Sequence, residues 1–365
     1  MKGRLTLGDT LFADTVYVDS GSLVNQLLSE RNASTHKVRK LSIKADYVDV
    51  EHKGFIDVTG QGYPAGYDYR GGNATATSGG THSVTGHGSS KVAYGNFLQP
   101  ELPGGGGGDS SQTDSTLAGG GVVRIIAKDL FMDGSILANA KDKLTSSLGA
   151  GAGGSIWLSA DRIEGTGTLE AIGGEYSLGF GGGGRIALYS GILLGNLVDS
   201  ALTYPGGTLY SSTSPLQAGN LILDNKGVTA GIPTVQIKGL PTGIIDSIYS
   251  NALYCAGCTF MLQSDLFPTF NGHWLEVNFT GVHNVQKMFS LLSHGSNRLV
   301  VDITSGVTLT SKASVGNSFQ GMLRLNSLKI RGGAKGQTDL KVMINNLNVE
   351  NGQWTDPENG TVTSP

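Results

Sequence analysis

The chain has 365 residues, of which 38% are hydrophobic, enough to fill the core of one large domain or of two ordinary ones. Its formal net charge is −3 and it contains no run of Lys or Arg, so nucleic acid is not an expected partner. No segment approaches the ~18 consecutive apolar residues of a membrane helix, so no membrane span is predicted.

Glycine dominates the composition, with 57 residues, while only 15% of the chain is charged. The usual shares are about 7% for glycine and about 25% for charged residues. Such a chain, rich also in Val, Ile, Leu, Ser and Thr, is typical of many short strands joined by tight or irregular loops. We therefore expect an all-β protein.

Four segments share one pattern, which is an Ala, an Asp at or next to the following position, a short alternating strand, a turn and a second short strand. In chain order they are FADTVYVDSGSLV (12–24), KADYVDVEHKGFIDV (44–58), IAKDLFMDGSILA (126–138) and LSADRIEGTGTLEA (158–171). Strands this short are not stable alone, so they must stack on copies of themselves. The repeat predicts a right-handed parallel β-helix, or solenoid, with glycine at its corners.

Residues 60–121 interrupt this repeat, because glycine and polar residues replace the alternating pattern. A structureless loop of this length is uncommon, so we expect an ordered excursion across one side of the solenoid, held by aromatic side chains. The runs PGGGGGDSS and GFGGGG exceed what a corner requires. We expect them to bulge or to lie flat on the surface, and a bundle of polyproline-II-like helices is the alternative.

The composition and pattern of the sequence change near residue 230, where glycine becomes sparse and the alternating segments become longer. This division predicts a glycine-rich β-helix over 1–229, with its excursion at 60–121, and a β-rich part over 230–365. The second part either continues the solenoid or caps its open edge. One helix is predicted, at HNVQKMFSLLSHG (283–295), because its apolar residues recur at helical spacing.

The acids of the second repeat are the only candidates for catalysis. Alternation places Asp49 and Glu51 on one face of a strand, as a polysaccharide lyase or glycoside hydrolase of β-helical shape requires. The corresponding acids in other repeats, Asp19, Asp133 and Glu164, recur where the chain turns. We therefore favour a structural role, in which these acids hold backbone N–H groups in turns. No residue is predicted to be catalytic, and Asp49 and Glu51 are the candidates for the enzymatic alternative.

The stretch GYPAGYDYRGG is the strongest candidate for ligand binding. Three tyrosines within it could stack on sugar rings while two charged side chains bond to hydroxyl groups, which gives as candidate residues Tyr63, Tyr67, Asp68, Tyr69 and Arg70. The alternative is that these tyrosines fix the excursion to the strands below it, and the sequence favours that alternative.

Histidines and cysteines are few. His82 and His87 could bind a metal with Asp68, but no spacing prescribes a third ligand, so we predict a polar loop, no metal and no cofactor. Cys255 and Cys258 form an isolated CxxC pair, for which a local disulfide or two inert thiols are favoured over a metal or redox role.

The blocks GGGVVRIIAKDLFMDGSILANA, GAGGSIWLSADRIEGTGTLEAIGG and GGGGRIALY resemble the glycine-rich β-helical repeat region of large surface and adhesin-like proteins, over roughly residues 40–227. The resemblance implies a shape like that of the pectin-lyase superfamily. It implies much less about activity, because solenoids of this shape include lyases, hydrolases, adhesins and phage spikes. Because the acids lie mainly at turns, we expect a non-enzymatic structural or adhesion module, extracellular or on a cell or virus particle surface, that binds polysaccharide or cell-surface glycan or associates with itself. The alternative is a polysaccharide lyase or glycoside hydrolase, including a phage tail spike.

Overall fold

The computed structural model describes residues 3–8, 10–26, 39–69, 77–108, 117–141, 149–175, 179–228, 234–258, 260 and 271–363. These residues are nearly all β and form sheets of five, fifteen and four strands. Their helical structure consists of α1 (Leu197–Ser200) and two 3₁₀ turns, Val285–Lys287 and Leu309–Ser311. None of these helical segments has the length or the apolar character to cross a bilayer.

The first ten strands alternate between two sheets. Odd-numbered strands form the five-stranded sheet and even-numbered strands lie side by side in the large sheet, and every pairing among them is parallel. The predicted parallel stacking is thus confirmed, while the sheets remain separate and open. Their bounds are β1 (Arg4–Leu7), β2 (Thr10–Val18), β3 (Leu23–Gln26), β4 (Leu41–Val50), β5 (Phe55–Asp57), β6 (Val122–Met132), β7 (Ser135–Leu137), β8 (Ser155–Gly165), β9 (Thr168–Glu170) and β10 (Arg185–Gly195).

The even-numbered strands share one interruption, which we call the strand break. Pairing of β2 with β4 passes from Ala13 to Thr15, and pairing of β8 with β10 skips Asp161 and Gly191. The break falls on the residue after the repeated Ala, which is Asp in β2, β4 and β8 and Lys128 in β6. A charged residue is tolerated at this position because its side chain is exposed.

The core between the two sheets consists of stacked aliphatic rows. One row of the large sheet is Ile43, Ile125, Leu158 and Leu188, each at most 1% exposed. The five-stranded sheet contributes the facing row Val24, Ile56, Ile136 and Leu169. Each fully buried side chain of this size stabilises the fold by about 1.5–3 kcal/mol. The rows explain why the repeats must stack, because a single repeat cannot bury its own apolar side chains.

The glycine run 104–108 is buried and makes a three-residue pattern of hydrogen bonds. Its first and fourth N–H groups donate to segment 117–120, its second and fifth to segment 78–81, and its third to the Tyr67 carbonyl. Three residues per turn, with every N–H bonded to another segment, is the arrangement of packed polyproline-II helices. The expectation of a surface bulge is therefore wrong for this run, and the alternative is correct.

Close approach explains why these residues are glycine. A Cβ atom at Gly104, Gly106 or Gly107 would overlap a backbone carbonyl oxygen of a neighbouring segment. The same holds for Gly120 and Gly181 in the adjoining runs. Bundle packing requires a strict period, which the three residues per turn of each helix supply. The spacing between the glycine runs along the chain can therefore vary.

The large sheet continues across residue 229, the predicted division of the chain. It passes from β10 to β11 (Thr208–Ser212), then antiparallel to β12 (Asn220–Asp224) and parallel to β20 (Ser318–Arg331). The remaining strands are β13 (Val235–Ile237), β14 (Gly243–Ile244), β15 (Ser247–Tyr249), β16 (Ala252–Tyr254), β17 (Trp274–Val277), β18 (Met288–His294), β19 (Arg298–Val301), β21 (Lys335–Thr338), β22 (Lys341–Glu350), β23 (Gln353–Asp356) and β24 (Gly360–Thr363).

The helix predicted over 283–295 is wrong, because Val285–Lys287 is a single 3₁₀ turn and Met288–His294 is strand β18. The first four residues of β18 are buried on both faces of the sheet. Burial on both faces gives a continuous apolar run, which a periodicity test cannot distinguish from one side of a helix.

Candidate functional site

Three aromatic side chains lie next to one another on the outer side of the large sheet, beyond the strand break; we call Tyr17, Tyr47 and Phe131 the aromatic ladder. The ring centroids of Tyr17 and Tyr47 are 5.7 Å apart and those of Tyr47 and Phe131 are 5.4 Å apart. Tyr17 is 63% exposed. The Arg162 guanidinium lies 5.8 Å from the Phe131 ring and extends the row by one strand.

Strand alternation produces this ladder. Val16, Val48 and Leu130 point into the core at neighbouring positions of β2, β4 and β6, so the residues beside them point outward. Tyr47 is in register with Thr15 and Asp129, so its ring contacts those of Tyr17 and Phe131 diagonally across the neighbouring strands. The ladder therefore depends on the same stacking that builds the core.

Asp49 lies among the residues of the aromatic ladder. It is paired in register with Tyr17 on one side and Phe131 on the other, and the Tyr47 hydroxyl donates to Asp49 Oδ2 at 3.4 Å. Burial and then the Glu51 carboxylate raise the pKa of Asp49. Glu51 itself is exposed, and its Oε2 accepts a hydrogen bond from the backbone N–H of Ser20 at 3.2 Å.

The outer side of β2, β4, β6 and β8, at the strand break and beyond it, is acidic; we call it the acid–aromatic face. Lys128 bonds to Asp46 across neighbouring strands, with Nζ 3.0 Å from Oδ1, and Arg162 is paired with Glu164 on its own strand. These two cations are outnumbered by the carboxylates of the same face, which are Asp14, Asp46, Asp49, Asp129, Asp161 and Glu164. The face consequently attracts cationic ligands and repels polyanions, while its charge leaves the approach of neutral ligands unaffected.

The acids at the turns have structural partners. Asp133 Oδ1 accepts from both the backbone N–H and the hydroxyl of Thr166, at 2.8 and 3.0 Å. This contact joins the turn after β6 to the turn after β8. It is the arrangement expected of an acid that fixes a turn in the next repeat.

The tyrosines of the excursion form a small core of their own. Tyr63 is 5% exposed and packs with Tyr94 and Leu102, while Tyr67 and Tyr69 pack against this cluster. Burial raises the pKa of Tyr63. The ring of Tyr63 is therefore not accessible to a sugar in this arrangement.

The other candidates near this cluster are placed unequally. Asp68 is 4% exposed and lies beside a shallow pocket lined by Tyr67 and Lys91. Arg70 lies outside the described residues. Ligand contact by Tyr67 and Tyr69, which are half-buried, stays a prediction.

His82 fastens the excursion to the strands. It is fully buried, its Nδ1 is 2.7 Å from the Gly153 carbonyl oxygen, and its ring stacks on Tyr94. Burial, with the Arg185 guanidinium close by, lowers the pKa of His82 to about 3. Arg185 is itself buried and donates from Nη2 to the Tyr94 carbonyl oxygen at 3.0 Å.

His87 does not lie with His82, since its ring packs on Phe180 at 5.7 Å. Within the described residues no group of three or more His, Cys, Asp and Glu side chains is arranged to hold a metal ion. Cys255 and Cys258 form a disulfide that closes the turn between β16 and residue 258.

Sequence reasoning missed a buried carboxylate in the C-terminal part. Glu276 is 0% exposed and accepts three hydrogen bonds, from His283 Nδ1 at 2.8 Å, from the Asn284 N–H at 2.8 Å and from Gln320 Nε2 at 3.0 Å. His283 Nε2 faces Glu358 at 3.7 Å. The only signal in the sequence is an acid at an inward position of the alternating strand HWLEVNF.

This cluster joins β17, the 3₁₀ turn and the turn between β23 and β24. Lys341 Nζ is 3.2 Å from Glu358 Oε1 and closes the network from β22. A cavity of about 330 Å³ opens beside Gln320 and Lys341, with Asp339 and apolar side chains in its wall. The network holds the C-terminal hairpin against the sheet.

Searches against protein-family models, curated proteins and solved structures found no match to this chain.

Proposed function

We propose that this chain is a non-enzymatic surface or particle adhesion module that binds neutral glycans on its acid–aromatic face. In this proposal residues 1–229 form a right-handed parallel β-helix of the glycine-rich kind found in large surface proteins. The part from 230 onward covers one side and one end of it. The alternating strands of the two parallel sheets support the β-helix, and the disulfide supports an extracellular location.

The aromatic ladder is the observation that carries the proposal. Aromatic rings present a flat apolar face at low entropic cost, and sugar rings stack on such faces. The ladder advances by one strand spacing, about 4.8 Å, along the stacking direction. A glycan laid across the strands would meet Tyr17, Tyr47 and Phe131 in succession, with Asp49 between them to accept hydroxyl hydrogen bonds.

Charge narrows the ligand class. The carboxylates of the acid–aromatic face outnumber its cations, so uronic-acid and sulfated polysaccharides are disfavoured ligands. Neutral hexose chains and chains that carry free amino groups fit the same face. This preference is also evidence against a pectate-type substrate for the enzymatic alternative.

The test is a glycan panel of neutral, amino-bearing and acidic polysaccharides, read by direct binding. Tyr17→Ala should weaken binding of the preferred glycan by about 2- to 10-fold, from the ~0.5–1.5 kcal/mol of one aromatic contact. Tyr249→Ala is the matched control, because Tyr249 is equally exposed at 63% but lies on β15. Equal loss in both variants, or binding of acidic glycans alone, would contradict the proposal.

The enzymatic alternative rests on one observation, the raised pKa of Asp49 beside Glu51, which suits a general acid. The same glycans are therefore incubated with the protein and assayed for new reducing or unsaturated ends. Ends that appear with the native chain and vanish in Asp49→Asn would establish a lyase or hydrolase and overturn the adhesive role.

A further inference from the structure

The second half of β10 is paired along one edge alone. β8 pairs with β10 from Arg185 to Gly195, whereas β11 pairs with it only as far as Tyr189. No described strand lies beside residues 190–195 on that second edge. Residues 190–195 therefore form an exposed edge of the sheet next to the core.

The backbone of Leu193 faces this open edge. The N–H of Asn196 donates to the Gly165 carbonyl on β8, and successive residues of a strand turn their hydrogen-bonding groups to opposite sides. Alternation back from Asn196 directs the groups of Leu193 and Gly195 away from β8. The Ser190 side chain does not cover the open edge, because its hydroxyl donates to the carbonyl oxygens of Asp161 and Ile192 on the β8 side.

The side chains at this edge are apolar and exposed. Ile192 is 51%, Leu193 37% and Leu194 45% exposed, although Leu193 is in register with the buried Ile163 and points toward the core. Natural edge strands are usually protected by charge, proline or a bulge. The segment from Ser190 to Gly195 contains no charged residue and no proline.

The segment Gly191–Ile192–Leu193–Leu194–Gly195 is symmetric in size about Leu193. We propose that it pairs antiparallel with the same segment of a second copy of this chain, around a two-fold axis at Leu193. Leu193 then faces Leu193 of the other copy and exchanges two backbone hydrogen bonds with it. Ile192 lies opposite Leu194, and glycine lies opposite glycine at both ends.

Three features favour a second copy as the occupant. An uncharged strand does not repel itself, and a residue set symmetric about its centre is complementary to its own antiparallel image. The unpaired stretch of β10 beyond the end of β11, residues 190–195, is one residue longer than this segment and can accommodate it. Ile192 and Leu194 also lie in register with Arg162 and Glu164, so pairing would join two acid–aromatic faces into one bivalent face.

Cysteine cross-linking tests the register, since the two native cysteines are already paired with each other. Under mild oxidation Leu193→Cys should form covalent dimers with itself. Ile192→Cys and Leu194→Cys should cross-link with each other when mixed and far less when each is alone. Cross-linking of neither kind, or equal cross-linking by all three variants, would refute the register.

Sedimentation equilibrium tests the dimer itself. The native chain should show a concentration-dependent monomer–dimer equilibrium, and Leu193→Lys should be monomeric at the same concentrations because two ammonium groups would meet at the axis. Ile244→Lys is the control, at a 53% exposed aliphatic residue on β14. A monomeric native chain, or dimers that persist in Leu193→Lys, would overturn the proposal. Loss of the dimer without loss of glycan binding would leave the adhesive role intact.

Discussion

The glycine bundle makes the sharpest prediction, because one added carbon atom should destabilise it. In Gly106→Ala the new Cβ would overlap the Pro64 carbonyl oxygen, which is backbone and cannot rotate away. The backbone N–H of Gly106 also donates to the Tyr67 carbonyl oxygen at 2.8 Å, so moving either segment lengthens a buried hydrogen bond. Neither segment can therefore move to relieve the overlap without weakening this hydrogen bond.

The magnitude follows from opposing terms. Overpacking a close-packed region costs about 1–3 kcal/mol, and a weakened buried hydrogen bond adds about 1 kcal/mol. Replacing glycine lowers the entropy of the unfolded chain, which returns about 0.4–1 kcal/mol. Gly106→Ala should therefore lower the free energy of unfolding by about 2 kcal/mol. Gly257→Ala is the control, because a Cβ there has no atom within 4 Å, and it should be neutral or slightly stabilising.

Denaturant unfolding measures the global effect, and hydrogen exchange locates it. In Gly106→Ala the amides of 104–108 and of the neighbouring segment 78–81 should exchange faster, while the amides of β8 should keep most of their protection. If Gly106→Ala and Gly257→Ala behave alike in both measurements, the close packing of these segments is wrong.

Three further predictions concern the rest of the fold. Burial lowers the pKa of His82 and of His273 to about 3, below the ~6.5 of an unfolded histidine, so stability present above pH ~6.5 should fall by about 2 kcal/mol for each by pH ~5 in denaturant unfolding. Joint replacement of Cys255 and Cys258 by Ser should cost only about 2 kcal/mol in the same assay, because the disulfide closes a short loop. Glu276→Gln should lower the thermal midpoint. The carboxylate accepts hydrogen bonds that each contribute about 1.5–3 kcal/mol, whereas the amide would direct an N–H group at one of the same donors.

The sequence predicted the parallel strands because their signal is local. Inward apolar residues such as Val48 and Val50 recur at period two inside a repeat, and the residue after the repeated Ala marks the strand break. The glycine bundle was predicted only as the alternative to a surface bulge, because the hydrogen bonds of run 104–108 go to segments that only the folded chain brings together. Glu276 was missed for the same reason, since its partner Gln320 is remote in sequence.

The position of the candidate site follows from which half of each strand is covered. In β10 the residues before the strand break are buried and those after it are exposed. The covered half contacts the excursion, where the Tyr189 hydroxyl donates to the Leu98 carbonyl oxygen at 2.6 Å. The glycine bundle makes this cover thin and rigid, because backbone packs directly on backbone. In β4 and β6 the half beyond the strand break lies outside this cover, whereas β2 is exposed on both sides of its break. A change that loosens the bundle should therefore also weaken the proposed glycan binding at a distance from it.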